Sequence, residues 1–136
     1  MDNTALADNL EGNGELAMLL AQPPIAFHRV FVDLTNSATA ALLLSSLIEH
    51  QEQVGVGTDE WFETTAEQIS ARTGLSRKEQ ATARRTLRDL KLLDERREGF
   101  PARFELRINF SQVSTLLIGQ ARKRLSQSRS IGVTEH

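Results

Sequence analysis

The side chains of this chain that can do chemistry are mostly cationic, and they are unevenly spread. Of sixteen Lys and Arg residues, fifteen lie after position 71 and only Arg29 comes earlier. Residues 1–71 hold one basic and eleven acidic side chains, a balance of −10; residues 72–136 hold fifteen basic and seven acidic, a balance of +8. The overall charge of −2 therefore conceals a bipolar chain. Clustered Arg and Lys neutralise phosphate, so a basic half joined to an acidic half points toward nucleic acid. The competing explanation is a solvated, charge-rich surface, and composition alone leaves the two level.

Other chemistries lack their parts. There is no Cys, which removes disulfides, thiolate zinc ligands and thiol nucleophiles. His28, His50 and His136 are scattered, and no pair has a metal-ligand spacing. Asp59, Glu60 and Glu63 crowd around Trp61, but no base or nucleophile accompanies them, and they read as a solvated loop. Val54-Gly55-Val56-Gly57 lacks the trailing Gly-Lys-Ser/Thr of a phosphate loop and reads as a turn. No nucleophile-elbow, Walker or zinc-protease pattern occurs. The expectation is a non-enzyme with no catalytic residues, no metal and no cofactor. No apolar run reaches the roughly 20 residues of a membrane helix. The Leu16–Ala26 stretch is short and is interrupted by Pro23-Pro24, so it does not read as a secretory signal. A cytoplasmic setting without membrane contact is expected.

The elements that must position the cations follow from periodicity and capping. Residues 1–24 read as a flexible acidic segment holding a short helix near Glu15–Gln22, ended by the two prolines. Ile25–Leu34, rich in β-branched and aromatic residues, reads as extended or as a short strand. Asn36 or Ser37 can cap a helix over about Ala38–Gln53, whose Ala40, Ala41, Leu43, Leu44, Leu47 and Ile48 recur at three and four. Trp61–Thr64 is a brief strand candidate, with Trp61 and Phe62 read as a satellite core. Thr65 with Gln68, and Ser76 with Glu79, form two capping boxes separated by a turn at Gly74. That is a helix-turn-helix signal.

The second of these helices, about Arg77–Leu90, buries Ala83, Leu87 and Leu90, with Gln80 at the edge. Its opposite face carries Arg77, Lys78, Ala81, Thr82, Arg85 and Arg88. Arg84 sits at the boundary, placed to snorkel or to contact phosphate. Small Ala81 and Thr82 among cations suit a helix that enters a major groove, because bulky residues there would hold the backbone away from base edges. Leu92–Arg97 and Arg103–Asn109 then read as a β-hairpin turning through Gly99 and Pro101, with Arg96, Arg97 and Arg103 near its tip. Ser111 can cap a last helix over about Gln112–Leu125, followed by a disordered tail at 126–136. Arg122, Lys123, Arg124 and Arg129 there are either a phosphate-binding arm or cations favourable at a helix C-terminus.

Taken in order, AALLLSSLIEHQEQ, WFETTAEQISARTGL, SRKEQATARRTLRDLKLL and GFPARFELRIN resemble the winged-helix domains of phage, plasmid and mobile-element proteins, including replication initiators and replisome organisers. The resemblance covers about Phe27–Leu117. It implies a mainly α fold with a small β-hairpin, a winged helix-turn-helix over 25–125 with an extra C-terminal helix, and binding to double-stranded DNA. Three positions depart from the pattern. Lys91 stands where Gly is common, Arg84 where leucine is common, and Phe104-Glu105 where paired aromatics are usual. The packing of the recognition helix is thereby left open.

The resulting expectation is sequence-preferring DNA binding, in transcription regulation or mobile-element replication. Arg77, Lys78, Ala81, Thr82, Arg85 and Arg88 would enter the major groove; Arg72, Ser76, Arg84, Arg96, Arg97 and Arg103 would hold backbone phosphates. A homodimer is expected, since one such domain reads few base pairs. A replication or regulatory partner protein is compatible with this, because no ATPase, nuclease or primase region is present. The rival reading is a winged-helix protein-interaction module without DNA binding. A small-molecule-responsive regulator would need a pocket that the sequence does not reveal.

Overall fold

The computed structural model describes residues 14–20, 28–98 and 103–134. It is mainly helical, with one small antiparallel sheet. The acidic stretch at 1–13, Pro23-Pro24, the hairpin turn at 99–102 and His136 lie outside the described residues.

Helix α1 (Gly14–Leu20) overlaps the short helix expected near Glu15–Gln22. Helix α2 (Arg29–Thr35) takes the place of the later part of the extended segment expected at Ile25–Leu34, and residues 25–27 lie outside the described residues. Its β-branched composition is overridden by packing. Phe31 and Thr35, four apart on one helical face, are buried, and Val30, Val32 and Leu34 lie against the core. The Thr35 hydroxyl donates to the Phe31 carbonyl at 2.7 Å. Asn36 then closes the helix in a left-handed conformation at φ 54°, donating its N–H to Val32. Asn tolerates that region better than most residues.

Helix α3 (Ala38–Val54) starts on Ser37, whose hydroxyl accepts from the Ala40 N–H at 3.1 Å. Ala40, Ala41, Leu43, Leu44 and Leu47 are buried, so α3 forms the centre of the core. It packs on α2 and also on the next two helices. Strand β1 (Phe62–Thr64) follows, and Phe62 turns into the core. Trp61 does not join it and stays half-buried at the sheet surface.

Helices α4 (Ala66–Thr73) and α5 (Arg77–Asp89) both carry the expected capping boxes, Thr65 with Gln68 and Ser76 with Glu79. Each box satisfies two backbone donors that the helix would otherwise leave open. Gly74 ends α4 at φ +76°, donating its N–H to Ser70 at 2.8 Å. Leu75 then plugs the core between the two helices.

Strands β2 (Leu93–Glu98) and β3 (Arg103–Ile108) form the expected hairpin, and β1 pairs with the other edge of β3, giving the order β1-β3-β2. The register places Leu93 opposite Ile108 and Phe62 opposite Leu106, all four buried on one face. Lys91, in the connection from α5, takes φ 61°. A residue with a long side chain thus occupies a left-handed position there.

Helix α6 (Phe110–Thr134) begins earlier and ends later than expected. Asn109, not Ser111, accepts from the N–H three residues on, at 3.1 Å from Gln112. Residues 126–134, expected to be disordered, continue the helix. Their polar composition says nothing about a core, yet no proline interrupts the stretch, and a helix satisfies its own backbone. Val113 is buried, Leu116 and Leu117 lie against the core, and from Ala121 to Gln127 every residue is exposed. Among the described residues, no helix is long and apolar enough to cross a membrane.

Candidate functional site

Helix α5 presents two unlike faces. At about 100° per residue, Ala83, Leu87 and Gln80 fall on one side and are buried. Arg77, Lys78, Ala81, Thr82, Arg85 and Arg88 fall within an arc of about 140° on the other, and all six are exposed. The structure therefore brings together the six residues expected on this face. Acidic residues on α5 occur only at its ends, Glu79 in the first turn and Asp89 in the last. Arg77 pairs with Glu67 across the turn, an exposed contact of the kind that contributes little. Among the described residues, the side chains of Lys78 and Arg85 have no ion-pair or hydrogen-bond partner.

Two polar devices hold the opposite face. Gln80 was expected at the edge but is fully buried. Its Nε2 donates to the carbonyls of Ala66 at 3.1 Å and Leu75 at 2.9 Å, fastening α5 to the start of α4 and to the intervening turn. Its Oε1 is buried without a protein partner, so the contact is bought with one unsatisfied acceptor. The signal was present in the spacing, because Gln80 lies three before Ala83 and seven before Leu87.

Arg84 is the second device and a correction. It was expected to snorkel or hold phosphate, but it is 5% exposed. Its Nε lies 3.3 Å from Oε2 of Glu95 on β2, and both side chains are only 6% exposed. Burial pulls the Arg84 guanidinium below its ordinary pKa, and the Glu95 carboxylate opposes that shift. A buried charge pair thus fills this position of α5. Glu95 also receives Arg88, and Arg97 lies 3.9 Å from its other oxygen. Sequence reasoning missed Glu95, although alternation along β2 places it on the same face as the buried Leu93.

The outer face of the hairpin is different again. Arg96 donates twice to Glu105, at 3.1 and 2.7 Å, and Arg107 donates twice to Asp94, at 3.1 and 2.8 Å. Both pairs sit directly across the β2–β3 register. Both guanidiniums also stack on Trp61, at 4.1 and 4.8 Å from the ring centre. Arg96, expected as a phosphate ligand, is therefore already engaged by a carboxylate and a ring. Arg103 opens β3, but its side chain lies outside the described part.

Arg72, the remaining expected phosphate ligand, is half-buried at the end of α4. It donates to Nδ1 of His50 at 2.6 Å and also to Gln53. Because a guanidinium only donates, Nδ1 of His50 carries no proton. Burial, and then the charge of Arg72, lower the His50 pKa, while a hydrogen bond to the Glu63 carbonyl acts the other way. Ser76, the last of the expected contacts, is exposed at the α5 N-cap.

The carboxylates around Trp61 serve the backbone. Asp59 accepts from the Phe110 N–H and Glu60 from the Gly57 N–H, each at 3.2 Å. Among the described residues, no group of three His, Cys, Asp or Glu side chains could hold a metal. A cavity of about 190 Å³ between α2 and α3 is lined by His28, Phe31, Ser45, Ile48, Glu49 and Glu52. No family model matches the chain, and no curated protein matches it either.

Proposed function

We propose that this chain is a winged-helix protein that binds double-stranded DNA with a sequence preference. Helix α5 is the recognition helix and the β2–β3 hairpin is the wing. The observation that carries this reading is the outward face of α5. It has four cations around two small residues, acids only at its ends, and a rigid attachment to the core beneath. Support also comes from the element order, two helices joined by a short turn and followed directly by a hairpin.

In the groove, Arg77 or Arg85 can pair with guanine O6 and N7 through two parallel hydrogen bonds, and Thr82 can reach a base or a thymine methyl. Lys78 supplies a point charge for phosphate. Arg88 and Arg97 hold phosphates and set the register, while Arg72 does so only by leaving His50 and Gln53. The protein acts in transcription regulation or in replication of a mobile element, in the cytoplasm, and as a homodimer that reads paired half-sites. Light scattering on a concentrated sample tests the dimer directly, and a strict monomer removes it.

The deciding experiment is fluorescence anisotropy with a labelled random duplex across a salt series. Six to ten phosphate contacts weaken binding about 10³–10⁵-fold between 50 and 200 mM salt. The Arg77→Glu/Arg85→Glu variant should fold normally and lose that steep dependence. Absence of binding at low salt in the unaltered protein overturns the general DNA-binding reading and leaves the protein-interaction module in its place.

A further inference from the structure

We infer that the outward face of α6 docks into the cavity between α2 and α3 of a second copy of this chain, and that two such exchanged arms hold the homodimer together. This rests on the proposed homodimer and names its interface. It uses no residue of the DNA-contacting face of α5.

Helix α6 outruns the core. Val113, Leu116 and Leu117 pack near its start, whereas every residue from Ala121 to Gln127 is exposed. Polar side chains would suit such an arm, yet Ile118 is 52% and Leu125 60% exposed. Ile118, Ala121, Arg122 and Leu125 stand at i, i+3, i+4 and i+7, so they share one face, and all four are exposed. That is the spacing with which an amphipathic helix anchors in a groove. No acidic residue lies between Phe110 and Thr134, so the arm is cationic throughout. Arg124 pairs with Asp33 on its own α2 at 2.5 Å, which leaves Arg122 as the cation of the outward face.

The cavity has the opposite chemistry. Ser45, Ile48, Glu49 and Glu52 of α3 line it with the same i, i+3, i+4, i+7 spacing, and His28 and Phe31 of α2 close the other side. The Ser45 hydroxyl is turned to the Ala41 carbonyl at 2.9 Å, so Phe31 and Ile48 supply the surface that receives a ligand. Glu49 and Glu52 add two carboxylates, and Glu49 accepts from the neutral side chain of Gln53, which leaves its charge in place. At about 190 Å³ the cavity exceeds the void of about 150 Å³ that admits benzene, so a leucine side chain fits. An apolar knob beside a cation thus meets an apolar hole beside carboxylates. A second copy is the partner because the chain is complementary to itself, −10 over residues 1–71 and +8 over residues 72–136. Repeated across a two-fold axis, the docking uses both arms and both cavities and closes the assembly. DNA phosphate is the rival for Arg122, but phosphate gives no account of the exposed Ile118 and Leu125.

Sedimentation of the full chain across a concentration series reads the dimer dissociation constant. Leu125→Ala and Arg122→Glu should each raise it at least about tenfold, because every dimer loses the contact twice. Glu49→Lys/Glu52→Lys should do the same. An equal mixture of that variant with Arg122→Glu should form dimers again, since each arm then meets a cavity of opposite charge. Glu52 is exposed, and Glu52→Lys alone takes the place of the pair if the pair does not fold.

A second measurement locates the arm. The chain has no Cys, so a nitroxide attached through Ser126→Cys is unique. Mixed with ¹⁵N-labelled unaltered protein, it should broaden the amides of α3 from Ser45 to Glu52 in the other copy. Broadening confined to α6 means that the arms pair with each other and overturns the docking. Full dimerisation by Arg122→Glu or Leu125→Ala alone, or a charge-swapped mixture that stays monomeric, overturns it too, while the homodimer stands. If Arg122→Glu keeps the dimer but flattens the salt dependence of duplex binding, Arg122 is a phosphate contact and the docking falls. A strictly monomeric unaltered protein removes the docking and the homodimer together, and leaves DNA binding by α5 to its own anisotropy test.

Discussion

The outward face of α5 and the outward face of the β2–β3 hairpin hold similar cations in opposite settings. On the hairpin, Arg96 and Arg107 each meet a carboxylate directly across the strand register, and Trp61 lies beneath both. On α5, Arg77 and Arg88 meet Glu67 and Glu95 from neighbouring elements, while Lys78 and Arg85 on the same face have no carboxylate partner among the described residues. The first surface is locally neutral and the second is not. Counting arginines therefore does not find a phosphate-binding face; what decides is how many carboxylates stand within reach of them. An exposed pair contributes little stability, but it cancels the local field that would draw in a polyanion.

The strongest way to break this comparison is to cut the tie between its two halves. Glu95→Ala leaves Arg84 buried without its counter-charge and should cost about 3–5 kcal/mol of stability, read from urea unfolding. Replacing both, as Arg84→Met/Glu95→Leu, should restore most of it. Equal losses in the single and double variants would show that packing, not the charge pair, joins helix to hairpin. Gln80→Ala removes the other attachment of α5. It leaves the Ala66 and Leu75 carbonyls without that donor and should cost about 2 kcal/mol, again by urea unfolding, with a smaller loss expected of Gln80→Glu at low pH.

The comparison is sharpened by single substitutions on its two surfaces. Arg85→Ala should weaken binding to a selected DNA site by about 1–3 kcal/mol. Arg107→Ala, in the balanced face, should change it by less than about 0.5 kcal/mol. Anisotropy at one fixed salt concentration separates them, and equal effects would remove the distinction between the faces. The smallest effect is expected at the join. Lys91→Gly relieves a left-handed backbone position and should raise stability by about 0.5–1 kcal/mol, seen as a shift in Tm with DNA affinity unchanged.

Local signals were legible in the sequence and long-range ones were not. The caps at Ser37, Thr65 and Ser76 each depend on residues three apart, and all three mark the helix starts found. The exposed face of α5 follows from helical period alone. Helix α2 was misread because Val30 and Val32 suggest a strand, and only contact with α3 and α6 shows what they pack against. The polar stretch after Leu125 gave no periodic apolar stripe, so its helical backbone had no signature. Arg84 looked like a boundary residue because its partner is eleven positions away on another element. The engagement of Arg96 depends on a strand register that places Glu105 opposite it, and on Trp61 from a third segment.

The Arg84–Glu95 pair also constrains how this sequence can change over generations. Replacing Glu95 takes away the carboxylate beside the buried Arg84 guanidinium, and many such intermediates fall below the stability a folded domain needs. The two codons are thereby bound into one heritable unit, although they encode residues on different elements. A lineage that reaches leucine at position 84 must pass through a second change at 95, or through a background stabilised beforehand. Among descendants of this chain, the two positions will be kept together or lost together.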